Sequence, residues 1–168
     1  MKKPQLILVD DHQIFRKGLS SILSMENIAT VLAEASNGVE LLQLLDKHKP
    51  DIILMDIDMP EMDGFETTQK VLEIQPGVKI IAFTMFEDQE YFQRMIELGA
   101  KGFILKSTDI SELEKVIHKV MSGEKFFSIS HIEKETGEKK HKQIKDNNEK
   151  WNHEKHSKGV VDNNVPWF

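Results

Sequence analysis

Cysteine is absent from the 168-residue sequence, so disulfides, thiolate nucleophiles and thiolate metal ligands are excluded. Long apolar runs are missing too: no stretch reaches roughly 18 apolar residues, and no basic segment followed by an apolar one opens the chain. The sequence therefore predicts no membrane span and no export signal. We expect a soluble protein of the cytoplasm, a compartment in which disulfides are rare.

Basic residues are in short supply in the first three quarters of the chain. Residues 1–122 hold 13 Lys and Arg against 20 Asp and Glu, a balance of −7, whereas residues 123–168 hold 9 against 8. Phosphate contacts by basic side chains dominate affinity for nucleic acids. We therefore expect no specific DNA binding by the acidic part of the chain, and the mixed charge of the remainder does not compensate.

Five short apolar runs alternate with five segments of helical periodicity. The predicted strands cover residues 6–9, 31–33, 52–55, 78–83 and 103–105. The predicted helices cover residues 12–25, 37–45, 65–74, 89–98 and 110–120. This alternation is typical of a doubly wound α/β fold, in which helices cover both faces of a parallel sheet.

Capping residues mark several ends of these helices. Asn37 and Asp109 each stand three residues before a glutamate, which is a capping-box pattern, and Asp88 can cap the fourth helix. Gly99 and Gly123 follow the fourth and fifth helices, where a left-handed residue often ends a helix.

Residues 129–168 lose this regularity. They are rich in Lys, Glu, Asn and His, and their apolar residues are too scattered to form one face of a helix or strand. Such a segment buries too little apolar surface to offset the entropy of ordering it. We therefore predict an ordered domain over residues 1–128, followed by a polar, disordered tail without a recognisable effector domain.

Reactive side chains stand where the predicted strands end. Asp10 and Asp11 follow the first strand, Asp56 the third, Thr84 the fourth and Lys106 the fifth. The carboxyl ends of parallel strands share one edge of the sheet, so these side chains can converge in a single crevice. Crowded carboxylates repel one another unless a cation compensates, and Mg²⁺ suits oxygen ligands.

Two readings of this convergence stay open on the residues alone. Metal, ammonium and hydroxyl together would stabilise a phosphoryl group in transfer to the carboxylate of Asp56. The other reading is a surface salt-bridge cluster of Lys106 with the aspartates, which would contribute about 0–1 kcal/mol.

At these residues the chain resembles the receiver domain of two-component response regulators. The resemblance covers about residues 4–127 and depends on four features: the VDDH segment, the LMDIDMPEMDG segment, Thr84, and the GAKGFILKS segment. It implies a five-stranded sheet in the order 2-1-3-4-5. The TMFEDQEYF and GEKFFS segments are most similar to the subgroup that carries a C-terminal, LuxR-type helix-turn-helix.

The resemblance also implies roles for individual residues. Asp56 would accept the phosphoryl group, and Asp10 and Asp11 would hold Mg²⁺ together with Asp56 and the backbone carbonyl of Asp58. Lys106 would sense the phosphate. The switch pair that responds to it would be Thr84 and Phe103.

Partners and output follow from the same resemblance. A sensor histidine kinase would supply the phosphoryl group, and two receivers could form a homodimer. Residues 129–168 number only 40 and lack the apolar periodicity of a helix-turn-helix domain, so we expect the DNA-binding output to be absent. Phosphotransfer and self-dephosphorylation would occur at one site, without the turnover of an enzyme.

Two alternatives remain. Asp56 and Asp58 form a D-x-D pair at a strand end, as in haloacid-dehalogenase-like phosphohydrolases, although that pair follows the first strand there and a cap encloses the substrate. A phosphate-independent dimerisation or sequestering domain is the other alternative.

Overall fold

A computed structural model describes residues 2–127, and the prediction of a disordered tail over residues 129–168 lies outside this range. The strands are β1 (Gln5–Val9), β2 (Thr30–Ala35), β3 (Ile52–Met55), β4 (Lys79–Thr84), β5 (Gly102–Leu105) and β6 (Phe126–Phe127). The helices are α1 (Gln13–Met25), α2 (Gly38–Leu44), α3 (Gly64–Ile74), α4 (Gln89–Leu98) and α5 (Ile110–Met121).

All the neighbouring strands pair in parallel, in the order β2-β1-β3-β4-β5-β6. The predicted order 2-1-3-4-5 is confirmed, but the expectation of five strands was one strand short. β6 has only two residues, and Phe126 and Phe127 pair with Gly102 and Phe103 of β5. Two residues are too few to produce a periodic pattern, so this strand gave no signal in the sequence.

The two faces of the sheet are covered by different helices. Side chains alternate between the faces of a strand, so each strand contributes residues to both. One face packs against α1 and α5 and forms an apolar cluster that includes Leu8, Leu54, Leu23 and Val116. Phe103 lies on the other face, fully buried, and its ring contacts Phe92 of α4 with centroids 5.4 Å apart.

The predicted helix-capping residues are confirmed by the hydrogen bonds that they make. The side chains of Asn37, Asp88 and Asp109 each accept hydrogen bonds from backbone N–H groups of the first turn. Gly99 ends α4 with φ +103°, a left-handed conformation that favours glycine. No helix among residues 2–127 is long and apolar enough to cross a membrane.

Candidate functional site

The register of the sheet brings the predicted side chains to one edge. Val9 pairs with Met55, so the residues that follow them, Asp10 and Asp56, leave neighbouring strands at the same level. Thr84 likewise pairs with Leu105, the residue before Lys106. The convergence that the sequence predicted is therefore present in the structure.

Lys106 joins the two buried carboxylates of this site. Its Nζ lies 2.7 Å from Asp10 Oδ2 and 3.0 Å from Asp56 Oδ2. The side chain of Lys106 is only 3% exposed, against 7% for Asp10 and 5% for Asp56. A salt-bridge cluster thus exists, but it is buried rather than on the surface. Separating such charges is costly, since each would lose its partner without regaining water.

Burial also changes the proton affinities of the pair. Loss of solvent raises the pKa of Asp56; Lys106 opposes this effect and the nearby charge of Asp10 adds to it. For Lys106, burial would lower the pKa, but its hydrogen bonds to Asp10 and Asp56 outweigh burial and raise it. The lysine therefore keeps its positive charge at neutral pH, whereas Asp56 holds a proton more readily than an exposed aspartate.

The loop after β3 holds the second carboxylate oxygen of Asp56, which does not contact Lys106. Asp56 Oδ1 accepts a hydrogen bond of 2.8 Å from the N–H of Ile57, while Oδ2 faces Lys106. Gly64 closes this loop, and its N–H donates to the carbonyl of Ile57 at 2.8 Å. A Cβ at position 64 would lie 2.4 Å from the carbonyl oxygen of Asp56, so only glycine fits there. Close backbone packing therefore determines where Asp56 stands.

Asp11 and His12 complete a cluster of possible metal ligands. One ligand atom from each of Asp10, Asp11, His12 and Asp56 can be chosen so that all four lie within 4.8 Å of one another. Asp11 is the most accessible carboxylate of the three, with a side chain 31% exposed, and its Oδ1 lies 3.1 Å from His12 Nδ1. Three carboxylates on a half-open edge form an oxygen-rich donor set that fits Mg²⁺.

His12 was not among the predicted site residues. The only sequence signal for it was its position directly after the two aspartates, because no metal-ligand spacing includes it. Asp58 was predicted to bind metal through its backbone carbonyl, and that role stays a prediction. Its carboxylate lies outside the ligand cluster and accepts a hydrogen bond of 3.2 Å from the hydroxyl of Tyr91.

The predicted switch residues are both buried. Thr84 is 1% exposed, and its Oγ1 accepts a hydrogen bond of 3.3 Å from the N–H of Phe86 in the following loop. Phe103 is fully buried, with its ring edge-to-face against Phe92. The structure therefore places Thr84 at the edge of the site and Phe103 in the layer between β5 and α4; their switching role stays a prediction.

Comparison with known proteins points to the same family as the sequence motifs. Residues 6–118 match the family described as the response regulator receiver domain. The chain is 36% identical over 121 residues to the transcriptional regulatory protein DegU of Brevibacillus brevis, covering 72% of this chain and 51% of that protein. It is 39% identical over 126 residues to the oxygen regulatory protein NreC of Staphylococcus aureus strain JH9, covering 74% and 58% respectively.

Solved structures agree with the sequence matches. A LuxR-family response regulator from Aurantimonas sp. SI85-9A1 superposes with a TM-score of 0.75 at 29% identity, over 83% of this chain and 99% of that one. The receiver domain of the putative response regulator NarL from Mycobacterium tuberculosis gives 0.68 at 28% identity, over 73% and 99%. The chain spans slightly more than half the length of the curated relatives it matches. It belongs to the response regulator receiver domain family and contains the receiver domain of a two-component response regulator.

Proposed function

We propose that Asp56 is the phosphoacceptor of this receiver and that a sensor histidine kinase is the donor. The observation that carries the proposal is the buried contact of Lys106 with both Asp56 and Asp10 at the carboxyl edge of the sheet. A carboxylate oxygen of Asp56 attacks phosphorus, the bond from phosphorus to the donor's imidazole nitrogen breaks, and an aspartyl phosphate forms.

The other residues of the site prepare this step. Asp10, Asp11, Asp56 and the backbone carbonyl of Asp58 would hold Mg²⁺, which when bound neutralises charge on the phosphoryl oxygens. Lys106 keeps its positive charge and exchanges one carboxylate partner for a phosphoryl oxygen. Thr84, at the buried end of β4, supplies a hydroxyl at the edge of the site.

We further propose that the chain acts as a switch and not as a turnover enzyme. Phosphorylation changes the interaction surface of the receiver, and self-dephosphorylation at the single site resets it. We propose no sequence-specific DNA binding by this chain, because residues 1–122 carry a charge balance of −7. We propose that the protein lies in the cytoplasm, where it meets its kinase or a second copy of itself.

The phosphoacceptor is tested with a small phosphodonor in the presence and absence of Mg²⁺. Intact-mass analysis should show one added phosphoryl group that requires Mg²⁺ and disappears in Asp56→Asn. Asp63→Asn is the matched control, because the side chain of Asp63 caps α3 by accepting from the N–H of Glu66, and asparagine can cap a helix as well. Full phosphorylation of Asp56→Asn would overturn the assignment, and repeated phosphate release from a phosphomonoester would favour a phosphohydrolase.

Output is tested by fluorescence anisotropy with and without the phosphodonor at physiological salt. We expect no sequence-specific binding of DNA in either state. Nanomolar, salt-resistant affinity for one DNA sequence would contradict this part of the proposal, and phosphorylation-independent dimers would favour a sequestering role.

A further inference from the structure

Every polar group of Asp10 has a partner. Its N–H donates to the carbonyl of Ala35 at 3.0 Å, and its carbonyl accepts a hydrogen bond from Arg16 Nη1. Its Oδ1 accepts from the N–H of His12 at 2.8 Å, and its Oδ2 contacts Lys106. Among these partners, Arg16 contributes a charged side chain that has no place in the phosphotransfer chemistry proposed above.

Arg16 is itself held firmly. Its Nε donates to Glu34 Oε2 at 3.1 Å, and the side chains of Arg16 and Glu34 are only 11% and 18% exposed. Glu34 precedes Ala35 on β2, so the strand that receives the N–H of Asp10 also anchors the arginine. Two N–H groups of one planar guanidinium thus connect the carboxylate of β2 to the backbone of the β1–α1 turn.

We infer that Arg16 is a positioning residue for the divalent-cation pocket, acting through the backbone carbonyl of Asp10. The inference rests on the proposed function, in which Asp10 and Asp11 hold Mg²⁺. By fixing that carbonyl, Arg16 sets the direction in which the β1–α1 turn presents both carboxylates. Arg16 does not touch the cation or the phosphoryl group.

The charge of Arg16 and its geometry predict opposite effects on Mg²⁺ affinity. A guanidinium close to the pocket repels a divalent cation, so removing the charge alone would tighten Mg²⁺ binding. Loss of the hydrogen bond to Asp10 would instead loosen the turn and weaken Mg²⁺ binding, as other supporting contacts of metal ligands do. The sign of the change in Mg²⁺ affinity therefore separates the effect of charge from the effect of geometry.

Lys17 offers a matched comparison within the same helix. Its Nζ lies 3.3 Å from the same Glu34 Oε2 that Arg16 contacts, and its side chain is 62% exposed. Its described ion pair is with Glu34, whereas Arg16 also donates to the Asp10 carbonyl. Lys17 thus shares the charge and the acidic partner of Arg16 but not the contact with the pocket.

The experiment compares Arg16→Lys, Arg16→Met and Lys17→Met in the full chain. Calorimetric titration with Mg²⁺ alone should show dissociation constants raised roughly tenfold in both Arg16 variants. Lysine keeps the charge, but its single ammonium does not reproduce the two-donor geometry. Lys17→Met should leave the constant unchanged or slightly lower it.

Phosphorylation by a small donor, followed across Mg²⁺ concentrations, gives a second measurement. The Arg16→Lys protein should need more Mg²⁺ to reach half of its maximal rate, yet reach a maximal rate close to that of the wild type at saturation. A role confined to general stability would instead lower the melting temperature in chelator without changing the Mg²⁺ requirement.

Unchanged or tighter Mg²⁺ binding by the Arg16 variants would overturn the inference, as would an equal loss in Lys17→Met. If Arg16→Met does not fold, Arg16→Lys and Glu34→Gln decide, since Glu34→Gln should weaken the anchor of Arg16 and raise the dissociation constant by a smaller factor. A wild-type chain that binds no Mg²⁺ would overturn the metal site together with this inference. A wild type that binds Mg²⁺ as tightly as Arg16→Lys would overturn this inference alone.

Discussion

Lys106 Nζ and Asp56 Oδ2 lie 3.0 Å apart at the carboxyl edge of the sheet, with both side chains almost completely buried. The lysine that would bind a phosphoryl group thus neutralises the acceptor before phosphorylation. The same ammonium also lies 2.7 Å from Asp10 Oδ2, so one cation holds two carboxylates together. The stability of the metal-free protein should therefore depend on Lys106.

We expect Lys106→Met to destabilise the metal-free protein by about 3 kcal/mol, because two buried carboxylates lose their common cation. Urea unfolding in chelator measures the change, and added Mg²⁺ should restore part of it by binding the folded state. Lys101→Met, at the residue directly before β5, is the control and should stay within about 0.5 kcal/mol of the wild type. Equal stability of the wild type and Lys106→Met would contradict the prediction.

The pH dependence of stability should reveal the raised pKa of Asp56. Because burial makes the folded state hold this proton more tightly than the unfolded chain, ionisation of Asp56 costs stability as pH rises above its ordinary pKa of about 3.9. The Asp56→Asn protein does not have this cost, because asparagine does not ionise. In chelator, its melting temperature should exceed that of the wild type at pH 7, and the difference should shrink as the pH approaches 3. A wild type that is more stable at pH 7 would show that the lysine outweighs burial.

Gly64 should be intolerant of even a methyl group. A Cβ there would meet the carbonyl oxygen of Asp56 at 2.4 Å and the Cα of Ile57 at 2.7 Å, and backbone atoms cannot rotate away. We expect Gly64→Ala to cost about 1–3 kcal/mol and to slow phosphorylation. Gly18→Ala is the control, because a Cβ there would meet no atom within 4 Å beyond the neighbouring backbone of α1, and alanine in a helix gains about 0.5–1 kcal/mol. Normal phosphorylation of Gly64→Ala would show that the loop can shift without moving Asp56.

Tyr91, the only tyrosine of the chain, reports on the loop beside the phosphoacceptor. The charge of Asp58, whose carboxylate accepts the hydrogen bond of the phenol, raises the pKa of Tyr91. Ultraviolet titration should therefore place the phenol above its ordinary pKa of about 10, and Asp58→Asn should move the midpoint back down. Asp51→Asn, at the residue directly before β3, should leave the midpoint unchanged. Identical midpoints in the wild type and Asp58→Asn would mean that the contact is absent in solution.

The main features of the site could be predicted because they follow from topology. A parallel sheet puts the ends of all its strands on one edge, so Asp10, Asp56, Thr84 and Lys106 had to be neighbours once the strands were identified. The helix caps were equally predictable, because a cap depends on residues only two or three positions apart. These parts of the fold need no knowledge of side-chain conformation.

The remaining contacts depend on where long side chains point, which the sequence does not specify. Arg16 reaches Glu34 across 18 positions of the chain, and Lys106 turns inward to bridge two strands 46 residues apart. Many pairs of opposite charge are possible in a sequence with 30% charged residues, so composition alone cannot select these. The choice is made by packing, which buries these particular side chains.

In the part of the chain that the structure describes, the short strand β6 forms the edge of the sheet next to β5. Phe126 and Phe127 occupy the hydrogen-bonding groups at the start of β5, and the Phe127 ring lies 5.6 Å from that of Phe92. An uncovered strand offers a template on which another chain can add, which favours aggregation. A fragment cut after Gly123 would expose this template together with the apolar face of Phe92. These two phenylalanines therefore occupy the part of β5 on which another chain could otherwise pair.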